Sequence, residues 1–250
     1  MLERHNAHFI WFQGQPPQNY NENIIEFKKK NPNFRINLWD EKSILKIIKR
    51  NPVFLMAYQK SRYLIQKVDI AKYAILYYYG GIYLDLDIQV NQPIHSEFIR
   101  SLDRNTLYFN WMQVYSFLPF IRVINNGIII SLEPMNQNIL QIVNDIDWIS
   151  HQGKNKDWYI LETTGPFYLT RWIKKRDNPK IKVLDQKYFE GRPLIQFFTN
   201  SHGVFTTHLH HSNWMENWLY IYISLLRLTI CLAIFITIYY LITKLFKMMF

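Results

Sequence analysis

The sequence has one cysteine, Cys231, in 250 residues, so no disulfide within the chain can hold it together. It has no internal repeat and no low-complexity linker, which excludes solenoids and tethered arrays. Charge is sparse, at 19% against 49% hydrophobic residues, and that combination excludes a disordered chain. No leader is expected at the front. Met1 to Asn6 is polar and the apolar run His8–Phe12 is too brief for a signal segment. Acidic residues are missing altogether beyond Glu216. The length that remains suits one domain with a full-sized core, or a smaller domain with an appendage.

The charge that is present sums to +10 and is unevenly placed. From Leu219 to Thr243 there are 25 residues whose only charge is Arg227. As a helix that stretch would reach about 37 Å, against about 30 Å of hydrocarbon in a bilayer. Trp214, Trp218 and Tyr220 before it, and Lys244 and Lys247 after it, suit interfacial anchors. The expectation is a domain over 1–215 and a C-terminal anchor over 216–250, single-pass, with the span at about 219–243. A buried core helix or an interfacial amphipathic helix is the plainer alternative. Which side of the membrane the domain faces stays open, since Lys244 and Lys247 favour a cytoplasmic tail while the missing leader favours a cytoplasmic domain. Without the tail, residues 1–218 hold 26 basic and 19 acidic groups, a net of +7.

Strand and helix signals alternate along the first 215 residues. His8–Phe12 predicts a strand running toward Gly14, and residues 20–30 a helix stopped by Pro32. Phe34–Trp39 predicts a second strand, with Asp40 as N-cap of a helix over Glu41–Arg50. Val68–Tyr79 predicts a helix ended by Gly80-Gly81, then Ile82–Val90 a strand of clean alternation. Further strands are expected at Thr106–Trp111, Asn126–Ser131 and Ile181–Phe189, and a helix at Phe167–Lys175. Such alternation predicts an α/β sheet with its sites at strand ends.

The chemistry concentrates in Gly80-Gly81-Ile82-Tyr83-Leu84-Asp85-Leu86-Asp87. In a strand Ile82, Leu84, Leu86 and Ile88 share one face, while Tyr83, Asp85 and Asp87 share the other. Two carboxylates about 7 Å apart repel unless a cation or bound hydroxyls separate them, and a divalent ion with oxygen ligands is the natural occupant. Alone, a D-x-D is also what two solvated edge carboxylates look like. Context sharpens it. Asp69, Lys72 and Tyr73 sit on the helix leading into the Gly-Gly. Here the sequence resembles glycosyltransferase family 32, the sugar transferases with a DXD motif. Four further segments fall in that family's order: His8-Phe9-Ile10-Trp11, Leu38-Trp39-Asp40, Thr164-Gly165-Pro166, and His208 to Trp214 with its histidines and Ser212.

The resemblance implies a GT-A fold and a retaining, front-face transfer of a hexose from a nucleotide-sugar. Mn²⁺ or Mg²⁺ would assist. Trp11 would stack on the donor base, Asp69 would bind the donor sugar, and Lys72 stands where many relatives carry arginine. Asp85, behind Tyr83, would lie by the ribose and sugar hydroxyls, and Asp87 would ligate the metal. Of the clustered His208, His210 and His211, the last two are the preferred additional metal ligands, and Asn125-Asn126-Gly127 is expected as a turn beside donor or acceptor. In this family a C-terminal membrane segment accompanies mannosyltransferases acting on inositol-phosphoceramide lipids. That puts GDP-mannose ahead of a UDP-hexose, a lipid or glycan ahead of other acceptors, and an ER- or Golgi-type membrane as the setting.

Three other readings compete. A haloacid-dehalogenase-type phosphotransferase would want Thr or Val at Gln89 and leaves the Gly-Gly-x-Tyr unexplained. A nucleic-acid binder would gather its basic residues, whereas apart from Lys28–Lys30 and Lys174–Arg176 they are scattered, so no nucleic-acid partner is expected. A membrane-anchored, catalytically weak nucleotide-sugar-binding protein of the same fold is favoured by Lys72 and by Asn213 between Ser212 and Trp214.

Overall fold

A computed structural model of the chain describes residues 5–115, 118–191, 202–211 and 217–249, and within the last helix the side chains of 225 and 228–244. Ser212, Asn213 and Trp214, and the side chains of Trp218, Tyr220, Arg227 and Lys247, lie outside the described residues. The chain separates into two compact units, Met1–His211 and Ser212–Phe250.

In chain order the first unit runs β1 (His5–Ile10), α1 (Gln18–Lys30), β2 (Phe34–Trp39), α2 (Glu41–Ile48), α3 (Pro52–Lys60), α4 (Leu64–Tyr79), β3 (Gly81–Leu84) and β4 (Ile88–Val90). It continues through α5 (Ser96–Ser101), β5 (Leu107–Tyr115), β6 (Leu118–Ser131), α6 (Gln137–Asn144), α7 (Lys156–Thr163), α8 (Pro166–Lys174), β7 (Ile181–Leu184), α9 (Gln186–Phe189) and β8 (Thr206–His208). Six strands make one mixed sheet in the order β2-β1-β3-β6-β5-β7, and β4 and β8 form a separate antiparallel pair. Parallel β1 is flanked by β2 on one side and β3 on the other, so the strand order reverses between β1 and β3. In open α/β sheets ligands bind outside the carboxyl ends of the strands at such a switch point. Trp11 follows the end of β1, and Asp85 the end of β3.

Both faces of the sheet are covered. Tyr83, Phe109, Ile124 and Ile129 pack with α2, α3, α4, α6 and α8, while Ile82, Leu84, Ile128 and Ile130 pack with Phe27, Ile99, Phe189 and Phe205. Gly80 ends α4 at φ 59° and Gly81 follows at φ 107°, backbone that side-chain-bearing residues rarely adopt. A Cβ on Gly81 would also lie 2.3 Å from the Asn6 carbonyl oxygen across the β1–β3 pair. The Gly-Gly is therefore what lets a helix turn directly into a central strand.

Several expectations need correction. The strand over Ile82–Val90 breaks in two: after Leu84 the chain leaves the sheet, turns through Asp85–Asp87 with Ile88 N–H donating to the Asp85 carbonyl at 3.2 Å, and re-pairs as β4 with β8. The helix over Val68–Tyr79 begins four residues earlier, at Leu64, which places Asp69 in its interior. The strand over Ile181–Phe189 stops at Leu184, where the Asp185 carboxylate accepts from Lys187 N–H and starts α9. Helices α3, α6 and α7 are not foreseen, although Asn51 before Pro52, Asn136 and Asn155 each cap one with a side-chain acceptor. Asp40 caps α2 as its position predicts.

The second unit contains α10 (Asn217–Met249), which includes the stretch 219–243. Among the described residues no helix is long and apolar enough to cross a membrane. The expected single-pass span, and the membrane setting that rested on it, are not supported.

Candidate active site

The sheet delivers the first of the two aspartates. Leu84 pairs with Ile128 as the last residue of β3, and the next N–H, of Asp85, donates to the Gly127 carbonyl at 2.8 Å. Gly127 leaves no room for more: a Cβ there would stand 2.7 Å from Asp85 Oδ2 and 3.0 Å from His208 Cε1. Tyr83 O–H donates to Asp85 Oδ1 at 2.6 Å, so the residue two back along the strand fixes the carboxylate's orientation.

The second aspartate is fixed from the small sheet. Ile88 pairs with His208, and Leu209 N–H donates to the Asp87 carbonyl at 3.0 Å. The His208 imidazole Nε2 then lies 3.2 Å from Asp87 Oδ1, and His211 N–H donates to Asp87 Oδ2 at 3.0 Å. One carboxylate oxygen each from Asp85 and Asp87 and one ring nitrogen of His208 lie within 4.8 Å of one another. His208, rather than the preferred His210 or His211, is the imidazole that meets both aspartates. The reason is register: β8 ends at His208 opposite the residue after Asp87, whereas His210 lies past the strand at φ 53°. His210 Nε2 lies 2.8 Å from Glu190 Oε1, and the His211 ring meets the Tyr20 hydroxyl at 3.2 Å.

Behind this pair lies a buried charge network anchored on α4. Lys72 Nζ is 2.9 Å from Asp69 Oδ1 and 3.1 Å from the Asn126 carbonyl, both hydrogen-bond distances, and 3.7 Å from Asp85 Oδ1, a looser ion pair. The Tyr83 ring lies 5.0 Å beneath it. Asp69 accepts from Asn126 Nδ2 at 3.0 Å and from the Thr164 hydroxyl at 2.7 Å. Thus the Thr-Gly-Pro segment acts through Thr164 on Asp69, and Pro166 opens α8. Asn125 faces the other way, donating to Glu190 Oε2 at 2.6 Å and meeting His208 Nδ1 at 3.0 Å. Consecutive buried asparagines serve opposite sides, as successive strand residues do, and the β5–β6 register shifts beside them, between pairs at Tyr108 and Asn110. The expected turn at Asn125–Gly127 is in fact this irregular stretch of β6.

Glu190 is the residue that sequence reasoning missed. It follows α9, is fully buried, and holds His208 and His210 at 3.3 and 2.8 Å. No motif marks it; only its setting between Phe189 and Gly191, where a carboxylate has no reason to be buried, hints at a partner. Trp11 is half-buried, edge-on to Tyr20 at 5.7 Å, and Tyr20 faces the His211 ring at 5.8 Å. A continuous wall therefore connects Trp11 to Asp87. The Trp11 indole N–H is buried without a hydrogen-bond partner among the described residues.

These contacts set the charges. Burial pushes the Asp85 carboxyl above the usual carboxylate range against the pull of Lys72. Burial acts the same way on Asp87, but the His208 charge and the two hydrogen bonds from His208 and His211 hold it below that range. Glu190 is likewise brought down to about 2 by His208 and His210 despite its burial. Burial alone would strip the proton from His208, yet Asp87 and Glu190 raise its pKa well above the ordinary value. Four carboxylates, at Asp69, Asp85, Asp87 and Glu190, thus surround one ammonium and one imidazolium, leaving net negative charge that a divalent cation can neutralise.

Residues 17–109 match the family described as "Glycosyltransferase sugar-binding region containing DXD motif". Over 88 residues the chain is 40% identical to a glycosyltransferase of Acanthamoeba polyphaga mimivirus, covering 32% of this chain and 34% of that one. Over 191 residues it is 26% identical to inositol phosphoceramide mannosyltransferase 3 of Schizosaccharomyces pombe, covering 74% of this chain and 48% of the relative. The chain spans between about a third and about half of the length of these curated relatives. Among solved structures, the glycosyltransferase PaToxG is similar at a TM-score of 0.50 and 21% identity, covering 69% of each chain, a likeness of fold that supports a GT-A-like mixed sheet. The matched stretch, residues 17–109, carries α4, β3 and both aspartates of the turn, so the likeness to DXD-containing glycosyltransferases falls on the residues that build the site.

Proposed function

We propose that this chain is a retaining glycosyltransferase that moves a hexose from a nucleotide-diphosphate sugar to a lipid or glycan acceptor, assisted by Mn²⁺ or Mg²⁺. Mannose, from GDP-mannose, leads over a UDP-hexose because the fission-yeast relative is named a mannosyltransferase of inositol phosphoceramide. The observation that carries the reading is the convergence of Asp85, Asp87 and His208 within 4.8 Å at the sheet's switch point.

The donor set fits such a cation. Two carboxylates and one imidazole suit Mn²⁺ or Mg²⁺, and Gly127 keeps the space beside Asp85 and His208 clear of side chain. Bound there, a divalent ion supplies charge neutralisation for the departing diphosphate. The chain's own groups do the positioning. Tyr83 and Lys72 hold the Asp85 carboxylate, the His211 N–H holds Asp87, and Glu190 orients the His208 ring. Asp69 is held at both oxygens yet keeps unfilled lone pairs, which suits acceptance from sugar hydroxyls. Trp11, half-buried just past β1, offers an aromatic face for the base. The acceptor hydroxyl would be deprotonated by the leaving phosphate on the same face, so the reading assigns no protein nucleophile.

One observation favours the weaker alternative, a binder of the same fold. Lys72 is consumed by internal partners, so it offers the donor nothing beyond its charge. Labelled GDP-mannose and UDP-hexoses incubated with Mn²⁺ and no acceptor decide between them. The transferase releases free sugar slowly from one donor, and Asp87→Asn cuts release at least a hundredfold with an unchanged circular-dichroism melt. Full release by that variant refutes the site; a donor that raises the melting temperature without any release establishes the binder.

A further inference from the structure

The β5–β6 hairpin extends well beyond what the site needs. β6 contributes Asn125 to Gly127 to the network, then in the reverse direction continues to Leu118, where it still pairs with Tyr115. Phe120 lies five residues from Asn125, about 17 Å along the strand. From Asn105 to Ile121 the sequence has no charged residue. Within that run Phe120 is 74% exposed and Ile121 37% exposed, two large apolar side chains on opposite faces of the same outer stretch of β6. Among the described residues neither belongs to the packed clusters on the two faces of the sheet.

Positive charge gathers directly behind them. The Arg122 guanidinium lies 5.4 Å over the Trp111 ring, and Lys174 Nζ lies 5.9 Å from the same ring. α8 is tied to this strand because Thr170 accepts the Ile124 N–H at 2.7 Å, and it ends in exposed Lys174, Lys175 and Arg176. Arg176 is engaged with Asp145 at 2.7 Å, while Arg122, Lys174 and Lys175 are in no ion pair among the described residues. An apolar pair at a hairpin end with cations set back along the strand is the order of layers in a bilayer leaflet: acyl region outermost on the protein, anionic headgroups behind it. A soluble protein partner would call for a patch of polar hydrogen-bonding rim, and a second copy would bring the same cations against each other.

We infer that β6 docks on an anionic lipid surface through its outer residues Phe120–Arg122, with Phe120 and Ile121 entering the headgroup region and Arg122, Lys174 and Lys175 facing lipid phosphates. The inference stands apart from the assignment of Asp85, Asp87 and His208. Together with it, the docked hairpin would bring a bilayer-embedded acceptor to the strand that carries Asn125–Gly127.

The test reads the hairpin locally, so lipid contact elsewhere in the chain does not blur it. In a full-length Cys231→Ser background, Phe120→Cys carries a polarity-sensitive fluorophore, and Glu97→Cys on exposed α5 carries it as the comparison. Vesicles are phosphatidylcholine alone, or phosphatidylcholine with phosphatidylserine, each with and without acyl-brominated lipid. Expected are a blue shift and bromine quenching at position 120 only, about tenfold stronger with phosphatidylserine and lost at high salt. Arg122→Glu should weaken that response by about tenfold without altering donor hydrolysis. No shift at 120 with either vesicle, or equal shifts at 97 and 120, overturns the proposal. A shift that needs no lipid and grows with protein concentration overturns it in favour of a second copy. Absent donor hydrolysis with an intact lipid response would instead count against the catalytic reading alone.

Discussion

His8 should make the fold sensitive to mild acid in a way that one substitution removes. Its imidazole is 1% exposed, between β1 and the turn that ends α4. Trp39 Nε1–H can only donate, so His8 Nδ1 accepts it at 3.1 Å, and the ring proton must sit on Nε2, donated to the Gly80 carbonyl at 2.8 Å. A second proton on Nδ1 would point at the Trp39 N–H in a buried site. Burial accordingly pushes the His8 pKa down to about 4, against a smaller opposite pull from Gly80. Between pH 6.5 and 4 the unfolded chain binds a proton that the native chain refuses. Stability from this group is complete above pH 6.5 and is lost as pH falls toward 4, by about 3 kcal/mol at 1.36 kcal/mol per pKa unit. Urea unfolding followed by circular dichroism from pH 4.5 to 8 measures it. The wild-type slope should exceed that of His8→Gln by close to one proton in this window. Because the shorter amide side chain would break the same contacts at every pH, the variant's lower stability should appear as a constant offset at neutral pH. Parallel pH profiles for the two proteins would refute the assigned tautomer and the burial argument together.

Other substitutions separate positioning from stability. Lys72→Met leaves Asp69 and Asp85 buried beside an apolar chain end, and should cost about 3–5 kcal/mol in urea unfolding, whereas Lys72→Arg should recover much of it. Gly127→Ala places a methyl 2.7 Å from Asp85 Oδ2, and should weaken Mn²⁺ binding by calorimetry at least tenfold while lowering the melting temperature by only a few degrees. Since Asp87 and Glu190 keep a proton on His208, Mn²⁺ must displace it; apparent affinity should rise about tenfold per pH unit across neutrality, with one proton released in buffers of different ionisation heat.

Glu190 shows why a motif and a site differ in what they expose. Asp85 and Asp87 can be found because their partners lie within a few residues: the Gly-Gly that admits a helix-to-strand turn, the alternation that buries Ile82, Leu84, Leu86 and Ile88 together, and Tyr83 two positions back. Period-2 reasoning places both carboxylates toward one space for a partly mistaken reason. The strand in fact ends at Leu84, and what brings Asp87 back is the pairing of β4 with β8, a contact across 120 residues of chain. The same long-range pairing selects His208 over His210, and local spacing carries no trace of it because three histidines in four residues look alike until a register is imposed. Glu190 depends on distant chain throughout, held by Asn110 and Asn125 on β5 and β6 and by two histidines beyond it. A burial cost so large is tolerated only where those partners converge, which makes Glu190 the residue whose loss should free His208 to rotate away from Asp87. That places control of the DXD turn in a carboxylate that no spacing rule would have selected.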